Sequence, residues 1–136
     1  MTGAPLSDRD YRSLATFRHA LRRFEAFSEA AARGAGLTPA QHQLLLAVRG
    51  HPAPPPSTTD LAEMLQLKLH SATELAARTH ARGLLERGTD PTDARRAVWT
   101  LSPEGDEKLA DLSLAHRDEL RRFRREMNDV LRELDP

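Results

Sequence analysis

The chain contains no cysteine. Disulfide scaffolds, thiolate metal centres, thiol redox sensing and cysteine nucleophiles are therefore excluded. Aromatic residues are scarce, at 4% of 136 positions, which suits a helical fold better than a β-sandwich. Net charge is missing too, because 20 basic and 20 acidic residues cancel to +0. The strongly basic balance that would mark a partner of nucleic acid or anionic membranes is thus absent. No apolar run approaches the roughly 18–20 residues of a membrane-spanning helix. The opening Met1-Thr2-Gly3-Ala4-Pro5 lacks the basic-then-apolar pattern of a secretory signal. A cytoplasmic protein without a membrane partner is the expectation. Catalytic signatures are lacking as well: there is no Gly-rich phosphate loop, no Gly-x-Ser-x-Gly elbow and no His-Glu-x-x-His run. No enzyme, catalytic residue or cofactor is expected.

What is present is one domain's worth of chain, residues 1–136, with 39% apolar residues, enough to bury a core. A helix is predicted over 8–33, with Ser7 and Asp10 as a capping pair. Within it Leu14, Phe17, Leu21, Phe24 and Ala31 recur on three- and four-residue steps, interrupted by Ser28. Arg12, Arg22, Arg23 and Glu25 are expected to face elsewhere, and Gly34 and Gly36 end the helix. Thr38-Pro39-Ala40-Gln41 opens a second helix with cap, N1 proline and N3 glutamine in place. Leu44, Leu45, Leu46 and Val48 make it apolar nearly all round, so it is read as buried. The following 51–56, rich in proline, is read as a stiff, extended connector.

Ser57-Thr58-Thr59-Asp60 has cap spacing again and starts a short helix over 61–65. A turn at Gln66-Leu67-Lys68 leads to a helix over 69–82, closed by Gly83. Two short helices joined by a tight turn are a helix-turn-helix outline. Residues 84–87 and 97–101 read as strands, with 88–96 a charged loop between them, and together they form a hairpin wing. Ser102-Pro103-Glu104 caps a last helix to about residue 134, in which Leu120, Phe123, Met127, Val130 and Leu134 follow a 3-4-3-4 rhythm. So long a helix cannot bury that stripe on so small a domain, and pairing with a second copy is the expected solution.

This order of elements resembles the MarR family of bacterial and archaeal regulators. Three stretches carry the resemblance. Leu37-Thr38-x-x-Gln41-x-x-x-Leu45 is similar to the family's second-helix opening. Leu61-Ala62-x-x-Leu65-x-Leu67, running on to Arg82-Gly83-Leu84-Leu85-Glu86-Arg87, is similar to its helix-turn-helix and first wing strand. Asp93-x-Arg95-x-x-x-x-x-Leu101-Ser102-x-x-Gly105 resembles its wing signature, with serine where threonine is commoner. The resemblance implies a mainly α fold with a small β-hairpin wing. In it a winged helix-turn-helix (37–102) lies between N- and C-terminal dimerisation helices (7–36 and 103–136). It further implies a homodimeric transcription regulator, usually a repressor, on a pseudo-palindromic double-stranded operator.

A helix fits the major groove, and residues near its N-terminus reach base edges. The candidate reading residues are Lys68, Leu69, His70, Ser71, Thr73, Glu74 and Arg78. Three of these positions depart from the family pattern: Lys68 stands where a serine cap is usual, Glu74 where arginine is common, and Thr79 replaces a habitual core leucine. A carboxylate at 74 is repelled by phosphates but can accept from cytosine N4, and both readings stay open. Arg95 and Arg96 at the wing tip suit the negative minor groove. By resemblance Arg95 is the groove reader and Asp93 holds the wing in shape. Residues 57–96 carry six basic groups (Lys68, Arg78, Arg82, Arg87, Arg95, Arg96) against six acidic ones (Asp60, Glu63, Glu74, Glu86, Asp90, Asp93). That balance also allows a winged-helix module that binds protein and has lost DNA. The family commonly binds small anionic aromatic ligands, and His19, Arg23 and His42 are the candidates to line such a pocket. A histidine satisfied inside the helix interface is the competing reading for His42. His116 and Glu119 are three residues apart, a single pair that makes no metal site by itself.

Overall fold

The computed structural model describes residues 3–134, and the ends of the 1–136 and 103–136 spans lie outside them. Five helices and one hairpin follow in the order α1 (Asp8–Gly34), α2 (Pro39–Gly50), α3 (Thr58–Leu65), α4 (Leu69–Ala81), β1 (Leu85–Asp90), β2 (Asp93–Leu101) and α5 (Pro103–Leu134). The chain divides into two compact units, Ala32–Ser113 and the combination of Met1–Ala31 with Leu114–Pro136.

In the second of these, α1 and α5 run antiparallel. Ser13 donates to Glu133 at 2.9 Å, Arg23 pairs with Glu126, Phe24 stacks on Phe123 at 5.2 Å, and His116 meets Ser28 at 3.0 Å. The His116 ring stands edge-on to Phe27 and Phe24, at 5.2 and 6.2 Å. The packed face takes in the expected stripe residues Phe24, Phe123 and Val130 and adds the buried Ser13, Ala20 and His116. Leu14 and Leu120 remain exposed, as do Leu6, Tyr11, Leu131 and Leu134. Arg23, expected to face outward, is half-buried against Glu126.

In the unit Ala32–Ser113, Leu37, Leu44, Leu45, Leu61, Leu75, Leu84, Leu85, Trp99 and Leu109 form the core. Two capping boxes set the first helices. The Thr38 hydroxyl accepts from Gln41 N–H at 3.1 Å while the Gln41 side chain accepts from Thr38 N–H at 3.0 Å. Ser57 and Asp60 repeat the arrangement at the start of α3, at 3.1 and 2.9 Å. Arg82 also donates to the Gln41 side chain, at 2.9 Å, tying the end of α4 to the start of α2. Thr79, unexpected in a core, is fully buried, and its hydroxyl is satisfied by the Leu75 carbonyl at 2.7 Å. The 51–56 connector bends, with a cis Ala53–Pro54 bond and a hydrogen bond between His51 Nδ1 and the Pro54 carbonyl at 3.1 Å.

The hairpin is longer than the sequence suggests. Strands extend through most of the expected 88–96 loop, pairing Leu85 with Leu101, Arg87 with Trp99 and Thr89 with Ala97, and leaving Pro91-Thr92 as the tip. The outer rungs carry no buried apolar face, so no alternation announces them as strand.

Gly83 adopts a φ of +76°, closing α4 with a bond from Leu84 N–H back to the Thr79 carbonyl. Ser102 then joins three elements. Its hydroxyl donates to the Gly83 carbonyl at 2.6 Å and accepts from Gly105 N–H at 3.0 Å, and its N–H donates to the Leu84 carbonyl at 3.1 Å. A Cβ at Gly105 would overlap that same Leu84 carbonyl. Gly105→Ala is expected to lower stability by about 2 kcal/mol or more, because backbone must shift. Gly50→Ala, with nothing within 4 Å of its Cβ position, should be neutral or stabilising by about 0.5 kcal/mol. Denaturant titration of the two variants measures the contrast.

Candidate nucleic-acid interface

The helix α4 shows two faces because of what each residue packs against. Ala72, Leu75, Ala76 and Thr79 point into the core, while Lys68, Leu69, His70, Thr73, Glu74 and Arg78 are exposed and Ser71 is half-buried. This exposed set holds every sequence-expected reading residue except Ser71. The turn before it is set by Gln66 in the left-handed region, at φ 54° and ψ 45°, with Leu67 N–H bonded to the Ala62 carbonyl at 2.9 Å. Unlike the starts of α2 and α3, that of α4 has no side-chain cap, since Lys68 carries no acceptor. The Thr73 hydroxyl donates to the Leu69 carbonyl at 2.9 Å, leaving its oxygen lone pairs as the outward function.

The wing tip is built by two aspartates. The Asp90 carboxylate accepts from the N–H and the hydroxyl of Thr92, at 2.8 and 2.7 Å. These bonds hold Asp90 below the ordinary aspartate range. Asp93 accepts from the N–H and Nε of Arg95, at 3.0 and 3.2 Å. Arg95 is nevertheless 92% exposed at its side chain, a tethered but open cation. Arg96 differs from Arg95 in its partner: it is exposed beside the tip, but its Nη2 donates across to the Ser57 hydroxyl at 2.9 Å. The two residues are 39 apart in sequence, and no local pattern pairs them. Trp99, also unremarked as a site feature, anchors the base of the wing through its indole N–H on the Thr58 hydroxyl at 2.9 Å. His80 stands edge-on to its ring, with centroids 5.9 Å apart.

The ligand candidates are distributed over the two units. His19 is exposed on α1, the Arg23 guanidinium is engaged by Glu126, and His42 is buried in α2. Among the described residues no group of three or more His, Asp or Glu side chains is placed to hold a metal ion. None of the described helices is long and apolar enough to cross a membrane.

A short helix, a tight turn, an outward-facing second helix and a two-stranded hairpin within one unit define a winged helix-turn-helix. The MarR family model matches residues 35–96, which span α2 to the middle of β2. Among solved structures, the chain is similar to AbsC, a MarR family transcriptional regulator from Streptomyces coelicolor. The identity is 20% and the TM-score 0.75, over 98% of this chain and 91% of that one. It is also similar to a probable transcriptional regulator from Pseudomonas aeruginosa, at 29% identity and a TM-score of 0.63, covering 78% and 77% of the two chains. A mutant MarR from E. coli complexed with operator DNA is similar at 17% identity and a TM-score of 0.68, covering 88% and 90%. No curated protein matches. Over α2 to the middle of β2 the chain is similar to the MarR family, and it shares the fold of the solved MarR family transcription regulators.

Asp60 provides a pH signature for the α3 end of this interface. The Ser57 N–H chiefly holds its carboxyl below the ordinary aspartate range, helped by the Ser57 hydroxyl and by the charges of Arg96 and His51, while burial opposes them. A depressed folded-state pKa contributes stability above the ordinary value, and this is lost as pH falls through the depressed one. The Tm difference between wild type and Asp60→Asn should therefore be constant near neutrality and shrink below about pH 4. Melting curves from pH 7 to pH 2 measure it.

Proposed function

We propose that the protein is a homodimeric, sequence-specific DNA-binding transcription regulator, acting as a repressor on a pseudo-palindromic operator. In this reading 37–102 is the DNA-binding module and the helices of 7–36 and 103–136 dimerise. The observation that carries it is the pairing, within one unit, of an exposed α4 face with a wing arginine left open at 92%. Helix residues then read the major groove, and Arg95 enters the adjacent minor groove with Asp93 fixing its stem. Lys68 and Arg78 flank the reading face and suit phosphates. The exposed Tyr11, Leu14, Leu120, Leu131 and Leu134 are apolar surface that a second copy can cover. A dimer doubles the contacts and requires half-sites about one helical turn apart. The role is binding, with no catalysis, and it belongs to the cytoplasm.

Glu74 and the balanced charge of 57–96, together with exposed Met64, Leu67 and Leu69, favour a second reading, a winged-helix module that binds protein instead of DNA. The two are separated by selecting duplexes from a random pool and titrating the recovered motif across salt. Under the leading reading a two-fold symmetric motif emerges. Arg95→Ala then weakens binding about tenfold or more and lowers the salt slope by about one per half-site. An unenriched pool, with a protein recovered by pull-down, would decide for the second.

Glu74 makes a sharper prediction under the leading reading. A carboxylate accepts from cytosine N4, whereas glutamine pairs with adenine N6 and N7. Selection with Glu74→Gln should replace a cytosine in each half-site by adenine, leaving other positions unchanged. An unaltered motif would remove Glu74 from the reading set.

Release by a small anionic aromatic ligand completes the proposal, with His42 as the residue tested. Binding of such a ligand at about 100 times its Kd adds about 2.7 kcal/mol to native stability. A thermal shift with aromatic carboxylates is the test, and it should be lost in His42→Ala.

A further inference from the structure

A two-stranded hairpin is marginal on its own, and the outer part of this one is exposed on nearly every rung. What holds it is a set of ties from β2 to the segment that starts α3. Trp99 N–H donates to the Pro56 carbonyl at 3.0 Å, and its indole N–H donates to the Thr58 hydroxyl at 2.9 Å. Ser57 and Val98 form an isolated β-bridge between these anchors. Arg96, three residues nearer the tip, adds a bond from Nη2 to the Ser57 hydroxyl at 2.9 Å. Among the described residues it is the outermost tie from β2 to the rest of its unit.

The surroundings of Arg96 argue against a direct phosphate contact. Its charge acts on the Asp60 carboxylate, which closes the α3 capping box through Ser57 N–H. It acts on the Asp90 carboxylate as well, so a phosphate brought to the guanidinium would meet two acids. Arg95 differs in this respect: its partner Asp93 belongs to the wing itself, and its side chain stays open.

We propose that Arg96 is a positioning residue, a strap that fixes the wing against the N-terminal end of α3 and so holds Arg95 at a set reach from the exposed face of α4. The proposal rests on the DNA-binding reading for its consequence, though not for the strap itself. Without the strap the hairpin beyond Trp99 pivots, and ordering it on DNA costs affinity. No phosphate contact is lost, so the number of counterions released on binding stays the same.

The test combines duplex titrations over a salt series with NMR exchange of the Trp99 indole N–H in free protein. The chain has one tryptophan, so that signal is unambiguous. The variants are Arg96→Ala, Ser57→Gly, their double mutant and Arg95→Ala. Glycine keeps a serviceable N-cap, which leaves α3 formed in Ser57→Gly. Arg96→Ala is expected to weaken binding about fivefold, the scale of one such hydrogen bond, at every salt concentration and with an unchanged slope. Indole exchange should quicken. Ser57→Gly should do the same, and the double mutant should add little, because both remove one interaction. Arg95→Ala should lower the slope and leave the indole unaffected. A slope lowered in Arg96→Ala as in Arg95→Ala would make Arg96 a phosphate contact and overturn the strap. Additive effects of the two strap variants, or indole exchange unchanged in Arg96→Ala, would also overturn it. If the wild type binds no duplex, the DNA-binding reading falls separately, and indole exchange with its additivity still decides the strap.

Discussion

The start of α5 lies against the backbone that joins α4 to β1, and at Gly105 there is no room for a methyl group beside the Leu84 carbonyl. The end of α4, the first strand of the wing and the return of the second strand all meet at this approach. Ser102 completes it, spanning from the Gly83 carbonyl to Gly105 N–H through one hydroxyl. Helix, strand and helix each leave terminal backbone groups unpaired, and here those groups satisfy one another. The serine performs this task with a hydroxyl alone, so the absence of threonine's methyl at 102 costs no hydrogen bond. Hairpin and α4 are consequently held at one end by geometry that tolerates few side chains.

The second organising fact concerns charge. A stretch with six acids and six bases reads as neutral, yet its charges have unequal duties. Asp60, Asp90 and Asp93 all accept backbone N–H groups at a cap or turn. Arg82 and Arg96 are spent on the Gln41 and Ser57 side chains. What is left outward on α3, α4 and the wing includes Lys68, Arg78, Arg87 and Arg95 against Glu63, Glu74 and Glu86. Counting formal charge along the chain overstates the acidity available to a partner, because carboxylates that hold turns are partly satisfied by those bonds.

The terminal helices show a related displacement of roles. Periodicity places Leu14 and Leu120 on apolar stripes whose Phe24, Phe123 and Val130 do pack, but these two leucines stay exposed while Ser13, Ala20 and His116 are buried. Small and polar residues are admitted there because each polar one has a partner across the pair: Ser13 with Glu133, His116 with Ser28. Burying a satisfied hydroxyl or imidazole carries little penalty, and small side chains let two helices approach. Leu14, Leu120, Leu131 and Leu134 are left on the outside, which periodicity alone cannot distinguish from the inside.

From the sequence by itself came the helix starts and stops, the turn between the two short helices, the wing's existence and the exposed face of α4. These are local decisions: a Thr or Ser with Gln or Asp three residues on, a glycine past a helix end, and a 3.6-residue period all act within a turn or two. Tertiary structure alone decided the rest. It extended the strands through 88–96, where pairing replaces apolar alternation. It tied Arg96 to the start of α3 by offering it Ser57, and turned Arg23 inward by offering it Glu126. It also satisfied Thr79 within its own helix once the core had enclosed it. Each of these outcomes depends on a partner brought near by the fold or on burial imposed by it, and neither leaves a trace in sequence spacing.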